Sequence, residues 1–309
     1  MSASTLRDLS VQYAKKQPRQ VDSLTEKAPI LDVIPFQEAS HGLWNAYEDL
    51  TGVSGAGWVD MNALLPSVSA DSELKKVDLS IMGGEMEVPE DKARMFGGKE
   101  KYFARRMEAV LRQSGTTAES RILYDNFRAF AVDQGRAVSA GAATDDCYSI
   151  LAVRFEKGVT CGLYSPEGFK RGAMLDVTPI NGGGLYKNAS GVLVYGVRLK
   201  GYFGIQIADE RTVGAVCNIN AANVPTAAQI DDLLAGVRAD PKDTKLLMHP
   251  RCKNMLNVYK AGGSATGAGS LQTVPATRDV DRTFEMWNGV PIVTSYNFLE
   301  GVEAALSLN

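Results

Sequence analysis

The side chains best able to bind a metal or attack an electrophile are few in this 309-residue chain: four cysteines and two histidines. The two closest cysteines, Cys147 and Cys161, stand 14 positions apart, Cys217 and Cys252 lie further on, and no Cys-x-x-Cys pair occurs. His41 and His249 are too few to complete a zinc set from thiols so scattered. Reduced, buried thiols are the expectation, as for most free cysteines. Gly182-Gly183-Gly184 has no Lys-Ser/Thr pair after it and lies between strand-like runs, so it reads as a turn and not as a phosphate loop. Neither histidine has the sequence context of a triad, and His249, before Pro250 at a strand end, reads as a satisfied loop residue. Asp145-Asp146 falls in a turn, and Asp231-Asp232 on a solvated helix face. No Gly-x-Ser-x-Gly, His-Glu-x-x-His or Gly-x-Gly-x-x-Gly motif occurs. Triads need not be local in sequence, but the sequence assigns no catalytic, cofactor-binding or metal-ligating residue.

Composition bounds what the chain can be instead. Hydrophobic residues make up 45% and charged residues 22%, enough for a sizeable core. Lys plus Arg number 33 against 36 Asp plus Glu, a net charge of −3. A dedicated nucleic-acid binder needs more phosphate-neutralising cations, so weak contact with DNA is the most this charge supports. No secretory apolar segment opens the chain, and no apolar run approaches the ~18 residues of a membrane span. A reducing, soluble compartment is expected.

The elements follow from periodicity. Residues 1–28 mix charges of both signs, and Pro18 ends any helix begun by Leu6, Leu9 and Tyr13, so an N-terminal arm is expected. Gly57 to Glu87 reads as an extended hairpin: a run from Leu64, a small acidic tip from Ser67 to Glu73, and a second run. In that second run Leu74, Val77, Leu79 and Ile81 alternate with Lys75, Lys76, Asp78 and Ser80. Gly52, Gly55 and Gly57 before it, and Gly83 and Gly84 after it, read as hinges at its feet. Pro89 opens a short helix that Gly97-Gly98 interrupts. Phe103, Met107, Val110 and Leu111 fall at i, i+4, i+7 and i+8, which predicts an amphipathic helix near 99–114, closed or bent at Gly115. A second helical stretch carries Leu123, Phe127 and Phe130. From Cys147 the sequence turns to β-branched and aromatic runs broken by glycine. Thr226 caps a helix striped by Ile230, Leu233, Leu234 and Val237. "KLLMH" is a short buried strand, "RCKNMLNVYKAG" a helix, Gly262 to Gly269 a flexible loop, and "TFEMWNGVPIVTS" two strands joined at Asn288-Gly289. No internal repeat is present.

An isolated two-stranded hairpin is marginal in water, and this one has few apolar residues. Its packing partner is expected to be another copy of the chain. The candidates for inter-subunit contact are Leu74, Val77, Leu79 and Ile81, as a face buried only on assembly. Lys75 and Lys76 on the hairpin, and Arg105 and Arg106 on the helix, would set register between neighbours.

The order of these features resembles the major capsid proteins of tailed phages, the Hong Kong 97-type fold, and is most similar to a subfamily from short-tailed phages. The resemblance runs from Pro29 nearly to the C-terminus. "PILDVIPFQEA" resembles the family's N-arm signature. Trp58 with Asn62 resembles its Trp-Arg-x-x-Asn entry to the extended loop, with Val59 in the arginine's place. "GGEMEVPEDK" resembles the return strand and the start of a long spine helix. "CGLYSPEGFKRG" and "GGLYKNASGVLVYGVRLKGYFGIQIADERTVGAVCNI" resemble its paired strands, and "WNGVPIVTSYNFLE" its closing Gly-x-Pro strand. Arg112 to Arg121 is an apparent extra stretch in the spine helix. The Gly-x-Pro strand here follows the long strands, which suggests a permuted strand order, with residues 192–220 outside the axial domain.

The resemblance implies an α+β Hong Kong 97-type chain. Its parts would be an N-terminal arm (1–56), an extended hairpin loop (57–87), a spine helix with peripheral domain (88–135), peripheral strands with the start of the axial domain (136–221), and the axial domain (222–309). It implies a shell subunit, not an enzyme, needing no cofactor. Homo-pentamers and homo-hexamers would form an icosahedral capsid around double-stranded DNA, with portal, scaffold and cement proteins as partners. Contact with packaged DNA would be weak and non-specific, and no membrane would be involved. The protein would occupy the virion, and the host cytoplasm during assembly. Some relatives cross-link a hairpin lysine to a neighbour's asparagine. Lys75 and Lys76 are placed for that, but the bond also needs a buried carboxylate, and solvated or ion-paired lysines are the plainer reading. An encapsulin-like cargo shell of the same fold, and a soluble α/β enzyme built on residues 145–296, are the alternatives.

Overall fold

The structure, a computed structural model, describes residues 28–61, 64–165, 176–260, 266–267, 269–274, 284–299 and 301–308. The side chains of Arg105, Glu108, Val274 and Phe284 are not among those described. Residues 1–27 of the expected arm, Asn62, the "PEGFKRG" stretch and most of Gly262–Gly269 lie outside the described residues.

The chain opens with β1 (Phe36–Glu38), β2 (Trp44–Ser54), β3 (Ser69–Asp78) and β4 (Ser80–Pro89), then α1 (Glu90–Met95). Gly97 and Gly98, at φ 83° and 115°, take the left-handed backbone that turns α1 into the next helix. α2 (Lys99–Arg121), a π-helical turn (Ile122–Arg128) and α3 (Ala129–Asp133) then follow in one continuous rod, roughly 50 Å long at 1.5 Å per residue. β5 (Ala137–Ser139), β6 (Tyr148–Arg154), β7 (Thr160–Tyr164), β8 (Asp176–Pro179), β9 (Tyr186–Lys187), β10 (Leu193–Ile207) and β11 (Val213–Ile219) come next. α4 (Ala227–Gly236), β12 (Thr244–Met248), α5 (Pro250–Met255), β13 (Leu271–Val274), β14 (Phe284–Trp287) and β15 (Val290–Thr294) complete the described elements.

The expected amphipathic helix forms, but it does not stop at Gly115. Gly115 is buried inside α2. The hydroxyls of Ser114, Thr116 and Thr117 donate to the carbonyls of Val110, Arg112 and Gln113 at 2.8, 3.1 and 2.9 Å. The small polar residues around Gly115 thus satisfy themselves within the helix. The stretch Arg112 to Arg121 is therefore part of one long helix.

Two sheets share that rod. β10 centres a six-stranded sheet, pairing β4 antiparallel along one edge and β9, β8 and β7 in turn along the other; β1 adds to β7 in parallel. Met107 and Leu111 of α2 pack on Val177 and Leu199 of this sheet. Tyr102 and Phe103 pack with Val88 and Ala93. The second sheet has seven strands in the order β13-β14-β15-β12-β6-β11-β5. One of its faces meets Ile122, Leu123, Phe127 and Ala131 of the rod, and the other meets Ile230, Leu233 and Leu234 of α4 with Cys252 of α5. Sheets buried on both faces read as continuous apolar runs, which is the pattern of β6 and β11. The four cysteines are free and buried.

The run 192–220 divides between the sheets: β10 lies beside α2, and β11 lies in the seven-stranded sheet. That sheet draws strands from both sides of residue 222, since β5, β6 and β11 precede it. Thr226 caps α4 as expected, in a reciprocal capping box with Gln229. His249 lies in the connection between β12 and α5, as expected. It is buried and caps α5, its Nδ1 accepting from the Arg251 amide at 3.1 Å. Asp231 is not simply solvated; it accepts from Trp287 Nε1 at 2.8 Å and Asn288 Nδ2 at 2.9 Å.

Candidate assembly interface

The hairpin is present, with different strands. β3 pairs antiparallel with β2, from Trp44↔Asp78 to Ser54↔Ser69, while β4 pairs with β10. The projecting ribbon therefore spans 44–78 and not 57–87, and its connecting loop is 55–68. Ser69 to Glu73, expected at the tip, lies within β3. The sequence hid β2 because "WNAYEDLTGVS" alternates weakly in polarity, as a strand exposed on both faces can. The glycines are not hinges at the feet either. Gly55 and Gly57 are in the connecting loop, and Gly83 and Gly84 sit inside β4 opposite Lys200 and Leu199. At Gly83 a Cβ would come within 2.8 Å of the Leu199 carbonyl oxygen, so close strand approach accounts for that glycine.

The base of the ribbon is fastened by two contacts. Leu79, between β3 and β4, packs with Ala39, Cys161 and Leu163. Asn45 donates to Gln206 Oε1 at 2.6 Å and accepts from the Ser40 amide at 2.8 Å, and both Asn45 and Gln206 are buried. Beyond that base β3 is exposed from Ser69 to Lys76.

Cross-strand pairs share a face, so the register sorts the side chains. One face carries Tyr47, Asp49, Asp71, Glu73 and Lys75. The other carries Leu50 and Leu74 together with Glu48, Ser72 and Lys76, and a register shift between Leu50 and Gly52 leaves Thr51 unpaired. Such a bulge changes parity. It turns Val53, opposite Ala70, onto the same face as Leu50 and Leu74. All three are exposed, at 61%, 68% and 74% for Leu50, Val53 and Leu74. The connecting loop adds Trp58, Met61, Leu64 and Leu65, at 107%, 95%, 95% and 77%.

The expected contact residues divide accordingly. Leu74 and Ile81 are exposed. Leu79 is buried within the monomer and Val77 packs against the same cluster, so neither belongs to a face buried only on assembly. Leu74 also lies on the opposite face from Val77, because the two differ by an odd number of positions. Lys75 pairs with Asp49 at 2.5 Å and Lys76 with Asp78 at 2.7 Å. The hydrogen bond to Asp49 raises the Lys75 pKa and keeps the amine protonated, which opposes its use as a nucleophile. Arg106 is exposed on α2 over the Tyr102 ring, and the Arg105 side chain lies outside the described residues. Sequence reasoning missed Leu50, Val53, Met61, Leu64 and Leu65 as exposed apolar groups. Their number in a Gly-rich loop was a usable signal; the bulge that aligns Leu50 with Val53 left none.

Two buried carboxylates were missed as well. Glu119 of α2 accepts from the Ile30 amide at 3.0 Å, from Asn297 Nδ2 at 3.0 Å and from the Ser295 hydroxyl. Glu303 accepts from Tyr124 and Ser149 hydroxyls, both at 2.5 Å, with Arg128 at 3.6 Å. Tyr124 and Arg128 both come from the π-helical turn. Together these groups tie the incoming and outgoing segments of the chain to the rod. Burial raises the pKa of both carboxyls, against the opposing hydrogen bonds.

No family model and no curated protein sequence matches the chain. Solved structures do. A chain from the structure of bacteriophage Epsilon15 aligns with a TM-score of 0.52 at 12% identity, over 88% of each chain. A chain of the bacteriophage JBD30 capsid aligns with a TM-score of 0.54 at 9% identity, over 93% of this chain and 98% of that one. An encapsulin complex from Synechococcus elongatus aligns at 0.45 and 11% identity, over 62% of this chain and 88% of its own. The alignments to the two phage structures cover most of the chain, and the chain has the α+β phage-capsid fold of Hong Kong 97 type.

Proposed function

We propose that this chain is the major capsid protein of a tailed phage, assembling as pentamers and hexamers into an icosahedral shell around double-stranded DNA. The observation that carries the reading is the ribbon on a body of capsid fold. It is anchored at its base, exposes Leu50, Val53 and Leu74 among polar neighbours on one face, and ends in a loop of exposed large side chains. A monomer gains nothing from such an arm; a subunit that lays it across a neighbour does. Each contact can be weak, because every subunit makes several at once.

A net charge of −3 suits a shell whose lining holds DNA only loosely. Portal, scaffold and cement proteins would be further partners, with assembly in the host cytoplasm and residence in the virion. Affinity to short-tailed phages rests on the arm motif "PILDVIPFQEA" and the order of the motifs that follow it. Negative-stain micrographs of the purified protein test the proposal: closed shells or capsomer rings are expected. A protein that runs only as a small oligomer and never closes overturns it. Nucleic acid inside native particles supports the phage reading; a packaged enzyme supports a cargo shell instead.

A further inference from the structure

We propose that the ribbon's apolar loop docks on a preformed strip made by Tyr296, Leu299 and Val302 of a second copy. The inference rests on the shell reading and names the receptor of that contact. Residues 295–299 and 301–303 face two ways. Ser295, Phe298 and Glu303 point inward, at 1%, 2% and 1% exposure. Tyr296, Leu299 and Val302 point outward, at 80%, 43% and 63%. The outward positions are apolar, where a solvated segment would carry polar side chains.

The strip is rigidly mounted. The Ser295 amide donates to the Met248 carbonyl at 3.1 Å, the Leu299 amide to Tyr124 Oη at 2.8 Å, and the Cys147 amide to the Glu303 carbonyl at 3.2 Å. Glu119 and Glu303 hold the side chains beneath it. A surface ordered before binding loses little conformational entropy when it is covered.

The occupant follows from area and symmetry. Trp58, Met61, Leu64 and Leu65 each leave most of their surface exposed, on the order of 700 Å² summed over the four residues, the scale of the largest apolar patch on an ordinary monomer. That is close to the ~800 Å² that one partner brings to a standard interface. In a ring of identical copies related head to tail, a patch meets a different patch of the next chain. Among the described residues outside the ribbon, exposed large apolar side chains otherwise come singly or as adjacent pairs, such as Met95-Phe96 and Val192-Leu193. Tyr296, Leu299 and Val302 are the one run of three in the sequence of those residues.

The test uses two singly substituted full-length chains, Leu64→Cys and Leu299→Cys, co-assembled and treated with a short bis-maleimide. The native cysteines are buried and give little background. A dimer band on a denaturing gel, present in mixed particles and absent from particles of either variant alone, is expected. Closed particles with no such band overturn the docking site while leaving the shell reading intact. A wild-type chain that never forms particles overturns the shell reading itself. As a second arm, Tyr296→Asp should lower particle yield at least tenfold with the monomer's melting temperature unchanged; full yield counts against the proposal.

Discussion

Glu119 carries a pH dependence whose sign can be worked out. Burial raises its folded-state pKa above the unfolded value, which is about 4.3. A raised pKa contributes stability that is fully present below the unfolded value and is lost as pH rises through the folded one. Mild acidification from neutral should therefore favour the native state through this group. Glu119→Gln should flatten that part of the profile, with an overall loss of stability because its amide N–H2 replaces an oxygen that accepts from a donor. Urea titrations at several pH values check this; a variant profile parallel to wild type would sink it. Glu303 is shifted the same way and leaves a residual slope. Asn45 makes the other residue-scale prediction. Asn45→Ala leaves the buried Gln206 without its partner at the ribbon's base, which should cost about 1–3 kcal/mol. Amide hydrogen exchange in β2 and β3 should rise more than in β6 or β11; uniform exchange would mean the contact is not an anchor. Neither carboxylate nor this pair was legible in the sequence. Their partners lie 89 to 179 positions away, and no local pattern encodes such pairing.

Among the elements, legibility followed period. Phe103, Met107 and Leu111 marked the buried face of α2, and Thr226 marked the start of α4, because both signals sit within a few residues. The ribbon was harder. Its register depends on an unpaired residue and on a partner strand with weak alternation, and that pairing is long-range. The corrected boundaries change the informative deletion. Replacing the loop 55–68 by a two-residue Asn-Gly turn keeps β2 and β3 while removing Trp58, Met61, Leu64 and Leu65. The expected product is a folded, soluble monomer that fails to close shells. Normal particles from it would end the claim that the loop carries assembly. A subtler element-scale change is Gly162→Ala. A Cβ there would collide with the Phe36 ring, so β1 should detach from β7, with a loss on the order of 1–3 kcal/mol by overpacking. A melting curve unchanged from wild type would show that the ring simply moves aside.

For the molecule as a whole, the fold class came from the order of features and not from any single motif. A recurring architecture is held by packing, which many sequences satisfy, and an identity of 9–12% to chains of the same fold is consistent with that. The contacts proposed between copies are apolar, and the described lysines of the ribbon are already paired within it. Assembled particles should therefore persist in 1 M salt, where exposed ion pairs are screened within about 3 Å. Light scattering across a salt series measures this, and dissolution of the particles would move the adhesive role from apolar to charged groups.

Thr51 has a consequence for how this protein can change over time. Being unpaired, it works as a phase shifter between two halves of the ribbon. Inserting or losing one residue between it and Val53 would invert Val53 relative to Leu50 and Leu74. Losing two would shorten the arm and keep its handedness. Length variation among descendants of this chain should therefore accumulate in even steps within the strands. Odd steps should be confined to the loop beyond Ser54.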